Sequence, residues 1–152
     1  MKIAIGADHA GFELKEEVKR FLEEAGHEVV DVGTHGRGSV DYPDFARLVA
    51  QAVSDRRCER GVLVCATGLG MCIAANRFRN VRASTPRTEL EAELTRADND
   101  SNVLCLGGRI QAAPLALAVA KRWLATAFAA GRHRRRVDQM TDPGFATEPP
   151  KK

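Results

Sequence analysis

Val62-Leu63-Val64-Cys65-Ala66-Thr67-Gly68-Leu69-Gly70-Met71-Cys72-Ile73-Ala74-Ala75-Asn76-Arg77 begins as an unbroken apolar, partly β-branched run. That is the pattern of a strand buried on both faces. The run breaks on small residues and resumes as an apolar, alanine-containing helix. A glycine turn between strand and helix lets backbone N–H groups converge on one point at the helix start. Such a point favours an anion, for instance a phosphate or an enolate oxygen. Cys65, at the last strand position, faces the same point, where the local field favours a thiolate. The segment predicts a parallel α/β fold with a reaction centre for a small anionic substrate at the turn.

The flanking sequence alternates strands and helices. Lys2 to Ala7 is a strand, followed by Asp8-His9-Ala10-Gly11. Phe12 to Ala25 is a helix with the apolar stripe Leu14, Val18, Phe21, Leu22 and Ala25, closed by Gly26. His27 to Val32 is the second strand, Gly33 to Pro43 a long loop, and Pro43 to about Asp55 a helix. After the central segment, Val81 to Ser84 is a short strand. Thr85-Pro86 is expected to cap and open a helix to about Ala97. Asn102 to Leu106 is the fifth strand, ahead of Gly107-Gly108-Arg109, and Pro114 opens an alanine-rich helix to about Ala130. The alternation implies right-handed crossovers. The expected fold is a three-layer, Rossmann-like α/β domain over residues 1–140 with a central five-stranded, mostly parallel sheet. Residues 141–152, rich in Pro, Gly and Lys, are expected to form a flexible C-terminal tail.

In this architecture ligands bind beyond the carboxyl ends of the strands. Asp8 and His9 follow the first strand, Cys65 to Gly70 the third, and Arg109 the fifth, so three segments bring polar groups to one edge. A length of 152 residues suits one domain, and 44% hydrophobic with 28% charged residues is a globular composition. The net charge of +3 is too small to argue for nucleic acid. No apolar run is long enough for a bilayer, and Asp8 follows the first strand without a leader pattern, so a cytoplasmic enzyme with no membrane partner is expected. None of Cys58, Cys65, Cys72 and Cys105 forms a C-x-x-C pair, which leaves metal and thioredoxin-type chemistry without support. Cys58, Cys72 and Cys105 are expected as small core residues.

Each motif has a plainer reading. No Lys-Ser/Thr follows Gly70, and no third glycine stands at Ile73, so neither the NTP loop nor the dinucleotide fingerprint is present. Asp8 alone could be a capping aspartate and His9 a solvated side chain. His27 and His35 are read as surface or loop residues. The Arg132 to Arg136 run is either a solvated face or a grip on one phosphate; without aromatic neighbours it does not suit single-stranded nucleic acid.

Taken together, the motifs resemble the ribose-5-phosphate isomerase type B family, which includes the galactose-6-phosphate isomerase subunits. The likeness rests on Gly6 to Phe12, Asp41-Tyr42-Pro43, Cys65 to Gly70 with Ala74-Ala75-Asn76, Asn99 to Leu104, Gly107-Gly108-Arg109 and Gly131-Arg132-His133. It implies an aldose–ketose isomerase of phosphorylated sugars that needs no cofactor or metal, built as a homodimer or dimer of dimers with shared active sites. On this resemblance Cys65 is the base that moves a proton between C1 and C2 through a cis-enediolate, cradled by Thr67, Gly68 and Gly70. Asp8 and Asn99 hold sugar hydroxyls, and His9 lies beside the phosphate. Arg109 binds the phosphate with Arg132 and Arg136 of the partner subunit, and His133 joins the substrate-binding set. A free thiol ionises near pH ~8.5, so a base for neutral pH needs that value lowered.

The chain departs from the family where a ring-opening histidine usually stands, because this position is Asp98. An ionised carboxylate has no proton for a ring oxygen. Ribose 5-phosphate to ribulose 5-phosphate is the leading expectation. An acyclic tetrose 4-phosphate, which needs no ring opening, is the same-chemistry alternative. A non-catalytic module for sugar phosphates or nucleotides is the alternative of another class, though pure binding gives the Cys65 thiol no role. Ala66 also replaces a family glycine, and Ser84 to Glu89 is unusual.

Overall fold

The computed structural model describes residues 1–142. The expected tail therefore lies outside the described residues except for Thr141 and Asp142. Strands β1 (Lys2–Ala7), β2 (Glu28–Asp31), β3 (Arg60–Cys65), β4 (Ala83–Ser84) and β5 (Val103–Gly107) form one sheet in the order β2-β1-β3-β5-β4. Every pairing is parallel. The helices are α1 (Phe12–Glu24), α2 (Tyr42–Ser54), α3 (Leu69–Ala75), α4 (Glu89–Ala97), α5 (Ala113–Ala125) and α6 (Arg132–Thr141).

Strand periodicity divides the core into two layers, since successive side chains point to opposite faces. Ile3, Ile5, Val62, Val64, Leu104 and Leu106 pack with Leu14, Val18 and Leu22 of α1 and with Val119 and Trp123 of α5. Ala4, Leu63, Cys65, Val103 and Cys105 pack on the other face with Val49 and Val53 of α2 and Met71 of α3. The register Leu63↔Cys105 and Cys65↔Gly107 sets the β3 and β5 turns side by side. Trp123 is fully buried and donates its indole N–H to Ser101 Oγ at 2.8 Å.

Several boundaries differ from the sequence expectation. Helix α4 starts at Glu89, capped by Thr88 rather than Thr85-Pro86: Thr88 Oγ1 accepts from Glu91 N (3.1 Å), and Glu91 Oε2 accepts from Thr88 N (3.2 Å). This reciprocal box satisfies two orphan donors, which a proline-led start at residue 86 cannot match. Pro86 is instead held in the loop, its carbonyl accepting from Gln111 Nε2 at 3.2 Å. Helix α5 ends at Ala125, not Ala130, because Thr126 is extended and Ala129 N bonds to Ala97 O at 3.0 Å. That bond carries the chain across to α6, where Val137 is the buried residue. A helix burying one apolar side chain leaves no stripe for sequence periodicity to detect. Ala25 is exposed as the α1 C-cap, so it does not extend the apolar stripe.

Candidate active site

Asp8, His9, Cys65, Thr67, Gly68, Gly70 and Arg109 all lie at the carboxyl edge of the sheet, in the loops after β1, β3 and β5. The loops interlock. Asp8 N donates to Val64 O at 3.2 Å, Gly108 N to Cys65 O at 2.8 Å and Arg109 N to Ala66 O at 3.0 Å. Gly11 permits this approach, since a Cβ there would stand 2.2 Å from Val64 O. Gly68 caps α3 in the left-handed region at φ 77°, a conformation that glycine adopts without the Cβ penalty.

Cys65 is 5% exposed, and its Sγ accepts the Gly68 N–H at 3.1 Å. Helix α3 is only seven residues long. The sulfur is thus hydrogen-bonded by one peptide N–H at the start of a helix too short for a large dipole. Thr67 Oγ1 accepts from Leu69 N at 3.3 Å, which leaves its hydroxyl proton free to donate. A Cβ at Gly70 would meet the Tyr42 ring at 2.8 Å, so the glycine lets Tyr42 cover the turn.

Asp8 closes the turn ahead of α1, whose N-cap is Gly11 with no side-chain cap bond: Oδ1 accepts from Ala10 N and Gly11 N, both at 2.9 Å. The other oxygen, Oδ2, takes no hydrogen bond among the described residues, so closing this turn and ligand binding are compatible. His9 Nδ1 lies 3.3 Å from both N and O of Val40, which orients the ring and leaves Nε2 for a ligand. The Val40 loop is anchored by Lys15, a fully buried lysine that sequence patterning did not single out. Its Nζ reaches Asp31 Oδ1 (3.0 Å), Asp31 Oδ2 (2.9 Å) and Thr34 O (2.9 Å). Burial alone would raise the Asp31 carboxyl, but hydrogen bonds from Lys15, Gly33 and Lys19 outweigh it and hold the group below the usual carboxylate range.

Asp98, Asn99, Arg132, His133 and Arg136 lie elsewhere. Helix α4 runs back from the carboxyl edge, so Asp98 and Asn99 precede β5 at the opposite edge, where Gly61 N donates to Asn102 O at 2.9 Å. Gly61 and Cys65 are four residue steps apart along β3, a rise of roughly 13 Å. Helix α6 sits at that same opposite edge, with His133 Nε2 3.4 Å from Asp98 Oδ1 and Arg132 Nε 3.3 Å from His133 Nε2. Within one chain Asp8 and Asn99 therefore stand at opposite edges of the sheet, Asp8 after β1 and Asn99 ahead of β5. Asp100 is structural, binding Arg96 through Oδ1 and Arg82 through Oδ2, each at 2.8 Å.

The remaining cysteines behave mainly as expected. Cys58 and Cys105 are buried, and burial pushes both thiols up. Cys72 is half-buried rather than core, with its Sγ donating to Ala83 O at 3.3 Å. His27 Nδ1 lies 3.4 Å from the Met1 amine, and His35, its side chain 72% exposed, has Nδ1 4.0 Å from Asp31 Oδ2, as surface and loop residues. Among the described residues no helix is long and apolar enough to cross a membrane.

Residues 3–140 match the family model described as Ribose/Galactose Isomerase. Ribose-5-phosphate isomerase B of Escherichia coli is 43% identical over 140 residues, covering 92% of this chain and 94% of that one. The structure of Clostridium thermocellum ribose-5-phosphate isomerase B superposes with a TM-score of 0.91 at 47% identity, over 93% of this chain and 95% of that chain. A 4-deoxy-4-sulfo-D-erythrose isomerase of a Clostridium species is 41% identical over 129 residues, covering 84% of this chain and 81% of that one.

Proposed function

The chain belongs to the Ribose/Galactose Isomerase family as a sugar-phosphate isomerase, and on that premise we propose that it interconverts ribose 5-phosphate and ribulose 5-phosphate with Cys65 as the base. The observation that carries this reading is the Cys65 sulfur, seated at the end of β3 and accepting the Gly68 N–H at 3.1 Å. In the open-chain aldose the thiolate takes the C2 proton, and negative charge moves onto O1. The proton returns from sulfur to C1, while the O2 hydroxyl proton passes to O1, leaving the ketose. Donors fixed on the Thr67 to Gly70 turn stabilise oxyanion charge that develops only as the proton leaves. Asp8 Oδ2 holds a sugar hydroxyl, and His9 and Arg109 face the phosphate.

The second half of the site comes from a partner subunit in a homodimer or a dimer of dimers. Two features support this. The residues implied for one substrate occupy opposite sheet edges of one chain, and large apolar side chains surround them: Leu69 (52% exposed), Ile73 (70%) and Ile110 (52%) near Cys65, and Met140 (44%) on α6. A two-fold pairing would bring Asn99, Arg132, His133 and Arg136 of the partner subunit over the Cys65 turn.

A second reading is favoured by one residue. Asp98 sits against His133 where the resemblance implies a histidine that opens sugar rings. A four-carbon sugar bearing its anionic group at C4 cannot close a furanose, and one relative is named for such a sugar. The experiment is a panel of tetrose, pentose and hexose phosphates, with 4-deoxy-4-sulfoerythrose, assayed for aldose–ketose exchange by wild type and Cys65→Ala. Loss of about 10²–10⁴-fold in kcat with little change in KM is the expected effect of removing the base. Near-normal turnover by Cys65→Ala would assign the proton transfer to another group.

A further inference from the structure

The turn that holds Cys65 has three successive carbonyls tied down by hydrogen bonds. Cys65 O accepts from Gly108 N (2.8 Å), Ala66 O from Arg109 N (3.0 Å) and Thr67 O from Arg87 Nη2 (2.9 Å). The first two donors are neutral backbone groups, but the third is a guanidinium. Thr67 O and Gly68 N belong to one peptide unit, whose C=O and N–H point in opposite directions. Arg87 therefore grips the oxygen end of the same peptide whose N–H end points at Cys65 Sγ, 3.1 Å away.

Arg87 is held there firmly. Its own N–H donates to Glu91 Oε2, and the preceding Pro86 carbonyl accepts from buried Gln111, which also accepts from Gly107 N at 3.0 Å. Yet its positive charge has no carboxylate partner among the described residues, and Nη1 is buried with no hydrogen bond at all. A buried guanidinium nitrogen left without an acceptor carries a desolvation cost, so its placement against this turn calls for a role there. The Thr67–Gly68 peptide links this guanidinium to the Cys65 sulfur, with Arg87 Nη2 on its oxygen and Cys65 Sγ on its N–H. A cation on the carbonyl strengthens the N–H as a donor, because hydrogen bonds in a chain polarise one another.

We infer that Arg87 is a positioning residue for Cys65: it orients and polarises the Thr67–Gly68 peptide so that the Gly68 N–H stabilises the thiolate. The inference rests on Cys65 being the base. Other titratable or charged groups around Cys65 are Asp8 and His9 from the β1 loop, Arg109 from the β5 loop, Cys105 in β5 and Tyr42 of α2. All are retained in the comparison that tests the role of Arg87.

The test is the pH dependence of Cys65 alkylation by iodoacetamide, read peptide by peptide by mass spectrometry so that half-buried Cys72 is scored separately. Wild type, Arg87→Lys and Arg87→Met are compared after their folds are matched by circular dichroism; Arg87→Gln replaces the methionine variant if that one does not fold. The Arg87→Met curve is expected to move to higher pH, with alkylation near neutrality slowed at least about threefold, the factor for half a unit in a titration. Arg87→Lys, which keeps the charge, should recover most of the loss. In turnover, Arg87→Met should lower kcat while KM stays near wild type. Coincident wild-type and Arg87→Met alkylation curves overturn the inference, and so does a lysine variant that shifts as far as methionine. The alkylation readout needs no turnover, so a Cys65→Ala enzyme that stays active would sink the base assignment without being confused with a failure of Arg87.

Discussion

Mixing two inactive variants should restore activity if each site is built from two subunits. One variant is Cys65→Ala, which leaves the α6 edge intact. The other is the double substitution Arg132→Ala, Arg136→Ala, which leaves the Cys65 edge intact. In a two-fold dimer one site pairs the Cys65 edge of the first chain with the α6 edge of the second, and the other site does the reverse. A hybrid then contains one doubly damaged site and one site with wild-type residues throughout. Random exchange at equal concentrations makes about half of the dimers hybrid, so about one quarter of all sites, and of wild-type activity, should return. The structure motivates this number directly, because Cys65 ends β3 while Asp98 and α6 lie at the opposite edge. Subunits are exchanged in mild denaturant, the hybrid fraction is measured by native mass spectrometry, and turnover is followed with ribose 5-phosphate and with a tetrose 4-phosphate. Hybrid dimers demonstrated by mass, with no recovered activity on either sugar, would refute the shared-site reasoning.

Asp98→His should raise kcat/KM for ribose 5-phosphate, a cyclic sugar in solution, more than for an acyclic tetrose 4-phosphate; equal ratios in both proteins would remove ring opening as the basis of selectivity. Asp31→Asn should destabilise the fold by about 1–3 kcal/mol at neutral pH, since it removes the buried carboxylate and leaves the Lys15 ammonium only the partly exposed Glu16 carboxylate at 2.8 Å. The Asp31 carboxyl is held below its ordinary range in the fold. Its stabilisation is therefore complete above the unfolded-state value of about 4 and is lost as pH falls through the lower folded value. Urea unfolding of wild type and variant should accordingly converge in strong acid, and a gap that persists unchanged at low pH would contradict the linkage.

Local signals in the sequence determine the alternation of strands and helices, the parallel sheet and the Cys65 turn. An apolar run, a glycine that tolerates left-handed backbone and an amphipathic stripe each act within a few residues, so they can be read one segment at a time. The carboxyl-edge rule then places Asp8, His9, Cys65 and Arg109 together without any knowledge of side-chain contacts. The α4 cap was also written in the sequence, as Thr88-Glu89-Leu90-Glu91, but Thr85-Pro86 offered a competing start that only the packing of Pro86 on Gln111 resolved. Helix α6 was hidden because its burial falls on Val137 alone. Lys15, Asp31 and Arg87 were hidden for a different reason: a charged residue buried against a distant carboxylate or carbonyl has the same sequence signature as one on the surface. The largest decision belonged to the tertiary structure. Asn99 and Asp8 look like parts of one site in a list of motifs, but parallel strands send the loops before and after them to opposite edges, and only the direction of the strands separates the two halves.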